Sequence, residues 1–409
     1  MSDIILPVIL AQLAHSRYDL TQQTITLAII RTSSIGDVVL STAAIDYLKL
    51  LEGLSPQLKF KIYFISKKPC LDLLKYGFFQ VKSDLSQVEV LDMEVDELRI
   101  KDANFMKSLD LLIDLQDNPR SKWLGRFYGK VTGRSVIKSQ KFRWQRAFLV
   151  LMARWHGRSR KISPLDLKPI EFQYRTVVHT ICQALQSLGL NLDSKGALES
   201  LEQARPTLKP NAELLTPFSR EPGCWIAIGP GASFATKKYP EQEFRDVLKM
   251  LTESLSSELT PNLVFLGDIN DQKAAEEILT SLTWPKKTLN LCGQTSLPET
   301  TQILAQVRLI LCSDTSLVHI AEAVRTPAGV IFGPTTEAFG FKPFFHESRA
   351  FSAPLGCRPC SKHGRAACRY GDKACFTSLP KNPIVDWMSL LLKAPLDQKA
   401  PLIMGGQER

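Results

Sequence analysis

Ile25-Thr26-Leu27-Ala28-Ile29-Ile30-Arg31-Thr32-Ser33-Ser34-Ile35-Gly36-Asp37 is the stretch whose reading decides the fold. Its near-continuous apolar run, without polar alternation, suits a strand buried on both faces of a parallel sheet. The run breaks into a small polar turn, and residues 38–50 carry a helical pattern with Ser33 or Ser34 as N-cap. Strand, turn and helix open a βαβ unit. Comparable runs fall at 58–66, 87–91, 109–115 and 134–138, then at 224–228, 262–266, 287–291, 307–312 and 328–332. Helical stretches separate them, so the expected class is α/β with two doubly wound, Rossmann-like domains.

Segment 193–223, with Pro206, Pro210, Pro217 and Pro222, reads as a linker plus a short helix. The expected division is an extension at 1–24, a first domain at 25–192, the linker at 193–223, a second domain at 224–380 and a C-terminal helix and tail at 381–409. Two such domains in tandem leave a cleft between the carboxyl ends of their strands, where ligands bind in such sheets.

With 44% hydrophobic and 22% charged residues in 409, disordered and fibrous classes are excluded. The formal charge of +10 suits an anionic partner: nucleic acid, an acidic membrane face or a phosphorylated substrate. No apolar run reaches the roughly 18–20 residues that span a bilayer. The longest candidate, residues 4–13, is interrupted by Pro7 and Gln12 and preceded by Asp3, so no signal peptide and a cytoplasmic chain are expected. Of nine cysteines, Cys70, Cys182, Cys224, Cys292 and Cys312 read as reduced core thiols. The others form Cys357-x2-Cys360-x7-Cys368-x6-Cys375, which leaves open either a structural zinc or iron–sulfur site or plain thiols.

Three constellations carry chemistry. In Ser33-Ser34-Ile35-Gly36-Asp37, glycine permits close backbone approach and the helix start favours the Asp37 carboxylate. Asp37 then either faces a ligand or merely complements the helix dipole. Gly229-Pro230-Gly231-Ala232-Ser233, followed by Thr236-Lys237-Lys238-Tyr239-Pro240, can present backbone N–H groups to phosphate, although it meets neither the dinucleotide nor the P-loop spacing. Its lysines equally suit a solvated surface. Ser313-Asp314-Thr315-Ser316-Leu317-Val318-His319 is either an anion site or an ordinary cap, with His319 as ligand contact or packed core. Phe332-Gly333-Pro334-Thr335 follows the next strand and would line the same cleft. Separately, the basic segment 138–161 holds Arg143, Trp144, Arg146, Arg154, Trp155, Arg158, Arg160 and Lys161 around an apolar 147–153. It reads as an amphipathic helix, either for anionic lipid headgroups or phosphorylated acceptor sugars, or packed through Phe148, Leu149, Leu151 and Met152.

With Ile113-Asp114-Leu115-Gln116, these motifs occur in order, each at the carboxyl end of an expected strand. In this they resemble the ADP-heptose:lipopolysaccharide heptosyltransferases, family 9 glycosyltransferases of the two-domain GT-B architecture, over residues 25 to about 380. The resemblance implies an inverting transferase that moves a heptose from an ADP-sugar to a lipid-linked inner-core acceptor. Asp37 would be the base and Lys237 the group that steadies the leaving diphosphate. Gly231, Ala232, Ser233, Thr236, Asp271, Asp314, Thr315, Ser316, His319 and Thr335 would bind the donor. Ser33, Ser34, Gly36, Gln116 and Arg120 would bind the acceptor. The implied place of work is the anionic inner face of the cytoplasmic membrane. Many members read Asn-Asp-Ser-Gly-Pro-Met-His where this chain has 313–319, so a small glycine is Ser316 here.

Such a transfer needs a base on the acceptor hydroxyl and charge stabilisation on the diphosphate. No Asp-x-Asp motif is present, so the expectation is that no metal cofactor is required, ADP-heptose being a substrate. Three alternatives stand beside this reading: a basic nucleic-acid-binding protein, a family-9-like transferase using another nucleotide sugar, and a member that binds saccharide without turnover. Against nucleic acid, no recognisable module is present and the basic residues spread through both halves.

Overall fold

The computed structural model describes residues 23–78, 87–157, 170–210, 214 and 223–395. Most of the 1–24 extension, the tail from 396, and Arg158, Arg160 and Lys161 of the basic segment lie outside them. Strands β1 (Gln23–Ile30), β2 (Leu58–Ser66), β3 (Gln87–Asp92), β4 (Leu111–Asp114) and β5 (Ile137–Lys138) form a parallel sheet in the order β3-β2-β1-β4-β5. A second parallel sheet runs β11-β10-β9-β6-β7-β8. Its strands are β6 (Trp225–Gly229), β7 (Asn262–Phe265), β8 (Thr288–Asn290), β9 (Ile310–Ser313), β10 (Ala328–Phe332) and β11 (Arg349–Ser352). The α/β class follows from the residues: Leu27 to Ile30 and Ile226 to Ile228 are fully buried, as strands covered on both faces must be. Edge strand β11, Arg-Ala-Phe-Ser, holds one large apolar residue and gave no strand signal in the sequence.

Strand order reverses between β1 and β4 in one sheet and between β6 and β9 in the other. A crevice opens at such switch points, beyond the carboxyl ends of the strands. The segments that leave those four strands are Arg31–Asp37, Leu115–Asp117, 230–239 and 314–316. The topology thus selects the same turns that the motifs marked.

After β1 come helices α1 (Ile35–Ser41) and α2 (Ala43–Leu54), where the sequence suggested one continuous helix. Thr42 causes the break. Its hydroxyl donates to the Val39 carbonyl at 2.7 Å and accepts from the Thr207 amide at 3.0 Å, in competition with the helix ladder. Helix α3 (Pro119–Thr132) follows β4, and α4 (Arg143–His156) follows β5. Helix α5 (Gln173–Ser187) packs Val177, Val178 and Ile181 into the first core. Helix α6 (Lys195–Gln203), inside the segment read as linker, buries Ala197 in that same core. Helix α7 (Ser316–Ala323) leaves β9 at the second switch point. Helix α8 (Asn382–Lys393) buries Ile384, Trp387 and Met388 in the second core and is part of that domain's packing.

Residues 338–344 of the second half join the two cores. The Ile170 and Gln173 amides donate to the carbonyls of Ala338 and Gly340, both at 2.9 Å, and Tyr174 meets Phe344 at 5.2 Å between ring centroids. The fully buried Glu322 of α7 fixes this segment by accepting from the Phe344 and Phe345 amides at 2.9 and 2.8 Å. Burial pushes its carboxyl up to about 8.

Arg308 is buried ahead of β9. It donates to the Leu391 carbonyl at 2.9 Å and to the Ala394 carbonyl at 2.8 Å, tying the end of α8 to the second sheet. Arg308→Leu strands those acceptors and should lower unfolding free energy by about 2 kcal/mol in a urea titration. An unchanged midpoint would show that α8 is held by its apolar face alone.

Candidate active site in the cleft between the sheets

Asp37 sits at the third position of α1, and its carboxylate is drawn in from two sides. Ser34 donates to Oδ2 through its amide at 3.3 Å and its hydroxyl at 3.1 Å. Arg31, the residue that follows β1, places Nη2 2.6 Å from the same oxygen. Burial raises the Asp37 carboxyl, but the Arg31 guanidinium and the Ser34 bonds outweigh it and hold the group below the usual aspartate range. The carboxylate is therefore ionised at neutral pH.

The loop beneath it is tied across the switch point. Gln116 accepts from the amides of Thr32 and Ser33 at 2.9 and 3.1 Å, and its Nε2 donates to the Ser33 hydroxyl at 3.2 Å. Buried Asp114 holds Gln116 in turn, accepting from the amides of Gln116 and Asp117 at 2.9 and 2.8 Å. Gln116 and Ser33, expected as acceptor contacts, thus spend these groups on shaping the turn. Arg120 stands apart on α3. It is ion-paired to Glu94 at 3.3 Å and lines, with Lys101 and Trp123, a cavity of about 360 Å³ whose lining includes neither Asp37 nor Lys237.

Two further cations approach Asp37, and neither was singled out from the sequence as a site residue. Lys141 donates to the Leu115 carbonyl at 2.5 Å. Burial and Arg31 bring its pKa down to about 8, against the pull of Asp37. Arg146 donates to Gln173 at 2.6 Å and to the Phe339 carbonyl at 3.1 Å, and lies over the Phe341 ring at 4.9 Å. Burial lowers its pKa and Asp37 opposes that. Arg31 had a signal, a lone charge closing an apolar strand. Lys141 and Arg146 had only their place in the basic segment 138–161, because it is the fold that brings them to Asp37.

The second half supplies the opposite wall. A Cβ on Gly36 would stand 2.8 Å from His319 Cδ2 and 3.6 Å from Ser316 Cα, so the bare backbone in the first turn of α1 meets the His319 ring and the first turn of α7. His319 is buried, and burial lowers its pKa to about 4, with Lys237 pushing the same way and Asp314 and Asp37 opposing. It is neutral at pH 7, and its Nδ1 makes no hydrogen bond among the described residues. Lys237 Nζ lies 2.8 Å from Asp314 Oδ2, which also accepts from the Thr335 hydroxyl at 2.8 Å. Lys238 pairs with Asp271 at 3.1 Å. The Asp271 carboxylate fills the space where a Gly231 side chain would begin, with its atoms 1.9 to 2.1 Å from an ideal Cβ there. Thr315 stands at the N-cap position of α7 without a side-chain cap bond, and Ser316 is the first residue of that helix; Ala232 is half-buried and Ser233 exposed. Thr236 is turned to another use, exchanging hydrogen bonds with the Arg365 backbone at 2.7 and 2.9 Å.

Arg365 belongs to the cysteine-rich loop, and Gly364 packs against Phe234 and Lys237. Buried Arg358 pins the loop through the carbonyls of Gly333, Ala353 and Thr335 at 2.5, 2.6 and 3.0 Å. Cys357, Cys360, Cys368 and Cys375 line one cavity of about 280 Å³. Among the described residues, however, no three His, Cys, Asp or Glu side chains converge as ligands of one ion. Thr335 and Lys237 are thus braced from behind by this loop.

The sequence profile of glycosyltransferase family 9 (heptosyltransferase) matches residues 105–370. Lipopolysaccharide heptosyltransferase 2 of Escherichia coli K12 is 27% identical over 171 residues, 41% of this chain and 47% of that protein. Lipooligosaccharide heptosyltransferase 2 of Haemophilus influenzae is 27% identical over 198 residues, 45% of this chain and 54% of that protein. The chain thus spans about half the length of these curated relatives. Among solved structures, E. coli ADP-heptose LPS heptosyltransferase II superposes with a TM-score of 0.57 at 18% identity, covering 90% of this chain and 98% of that one. A family 9 glycosyltransferase from Veillonella parvula gives 0.57 at 14%, covering 90% and 97%. These likenesses establish a shared fold.

Arg31→Gln removes the cation nearest Asp37, so the Asp37 carboxyl should titrate at higher pH, as read by carbon-13 NMR of labelled aspartate. A carboxyl that does not move would show that Ser34 and the helix start hold the charge unaided.

Proposed function

The chain belongs to glycosyltransferase family 9, the heptosyltransferases, and from that premise we propose that it transfers a sugar with inversion from a nucleotide donor to a saccharide acceptor in the cleft between its sheets. The observation that carries this reading is the bare contact of Gly36 with His319, which sets Asp37 beside the N-terminus of α7. A base from one half and an anion-holding helix start from the other then serve one reaction centre.

Asp37 takes the proton of an acceptor hydroxyl as that oxygen bonds to the anomeric carbon. The bond from that carbon to the diphosphate breaks on the opposite face, and its electron pair leaves on the phosphate oxygen. Lys237 and the N–H groups that open α7 hold the charge which develops there. Asp314 and Thr335 aim Lys237. His319 is neutral, and its buried Nδ1, without a hydrogen bond among the described residues, would be satisfied by a sugar hydroxyl that reaches it. Gly231 and Ala232, beside Asp271, cradle the nucleotide. The names of the relatives point to ADP-heptose as donor and a lipopolysaccharide inner-core sugar as acceptor.

Arg31 makes Asp37 a ready but weak base, since a carboxylate held in an ion pair releases electron density reluctantly. The cluster of Arg31, Lys141 and Arg146 suits an acceptor that carries its own anion, such as a phosphorylated or acidic sugar, which would share Arg31 and free the base. These cations gather inside the cleft, an arrangement that favours a charged saccharide over nucleic acid.

Asp37→Asn should retain donor binding while turnover falls by about 10²- to 10⁴-fold; full activity would remove Asp37 from the role. Lys237→Ala should lower turnover by about 10²- to 10³-fold and weaken the donor. In a thermal screen of nucleotide sugars, the true donor at a hundredfold excess over its dissociation constant should add about 2.7 kcal/mol of stability.

A further inference from the structure

Helix α4 has two faces that do different things. Arg146, Val150 and Ala153 point inward, Arg146 toward Phe339 and the Asp37 cluster, and Val150 and Ala153 are buried. On the opposite side Trp144, Phe148, Leu151 and Trp155 are 87%, 60%, 62% and 84% exposed. Spaced four, three and four residues apart, they fall within an arc of about 60° at 3.6 residues per turn. Of the packing expected through Phe148, Leu149, Leu151 and Met152, only Leu149 and Met152 are half-buried, and the buried face is made by Val150 and Ala153.

A continuous row of exposed aromatic and aliphatic side chains is rare on a solvated surface and marks a contact. Its makeup says which. Tryptophans stand at both ends of the row, the residue type enriched at the boundary between an apolar phase and water. Arg143 and Arg154, both exposed, flank the row on one side, and the chain as a whole carries +10. At 14 residues α4 is too short to span a bilayer, and among the described residues no helix is long and apolar enough to do so.

We propose that α4 docks the protein on an anionic bilayer, its outer row inserted at headgroup depth while its inner face, through Arg146, closes the cleft behind it. The thickness of one helix, about 10–12 Å, then separates the lipid from the cleft. A sugar still attached to its lipid could enter without leaving the membrane. The purpose of this device rests on the lipid-linked acceptor proposed above; its test does not.

The test is co-sedimentation of the full chain with phosphatidylcholine vesicles, with and without phosphatidylglycerol, at low and high salt and with no sugar present. Binding should require phosphatidylglycerol and weaken with salt. Phe148→Ser with Leu151→Ser should cut partitioning at least about tenfold while the melting temperature holds, both side chains being outside the core. In the unaltered protein, lipids brominated along the acyl chain should quench Trp144, assigned by its loss in Trp144→Phe. Undiminished vesicle binding by the double variant, or absence of quenching, would overturn the proposal. So would a dimer that the double substitution dissolves, since the row would then be a protein interface.

Discussion

The closeness of Gly36 to His319 is the constraint on which the rest of the cleft depends. Two helix N-termini, one from each sheet, meet there with only the His319 ring against the bare backbone of Gly36. Helix starts carry partial positive charge, so their meeting creates a place where anions are favoured. The groups around it follow from that. A carboxylate, Asp37, occupies one start. The other is left to N–H groups, a neutral histidine and a lysine held in place by Asp314. Any side chain at position 36 would push the two walls apart or force the His319 ring to move.

Electrostatics and packing are shared across this junction. Asp37 is felt by Lys141 and Arg146 of its own half and by His319 of the other, and His319 also feels Lys237. Behind Lys237 stands the cysteine-rich loop, and behind His319 the buried Glu322 that fixes residues 344 and 345. The residues that would touch substrate are thus few, and most of the polar groups nearby hold them still. This division explains why Gln116, Thr236 and Asp314, legible as site residues, turn out to be tied up in hydrogen bonds or an ion pair with other parts of the protein.

Much of this was legible in the chain because a parallel sheet buried on both faces writes itself as unbroken apolar runs, and a switch point must fall where such runs end. Ile25 to Ile30 and Ile226 to Ile228 are of that kind, and the turns after them hold Asp37 and Lys237. What was not legible depended on distant pairing. Strand β11 lacks an apolar run. The break at Thr42 needs Thr207, 165 residues on. Arg146 reads as one arginine among many until α4 is laid over Phe339, and the exposure of Phe148 and Leu151 cannot be told from their burial by periodicity, which gives a helix a face but not its partner.

The claim that matters most is that the two halves act on one substrate, and it is tested most directly by titrating Asp37 with and without ADP. If the diphosphate lodges at the start of α7 beside His319, its negative charge must raise the Asp37 pKa in a carbon-13 NMR titration, as one anion does to another nearby. An upward shift on saturation with ADP, lost in Lys237→Ala at the same concentration, is the expected result. An Asp37 resonance that titrates identically in free and ADP-saturated protein would mean that donor and base do not share a centre.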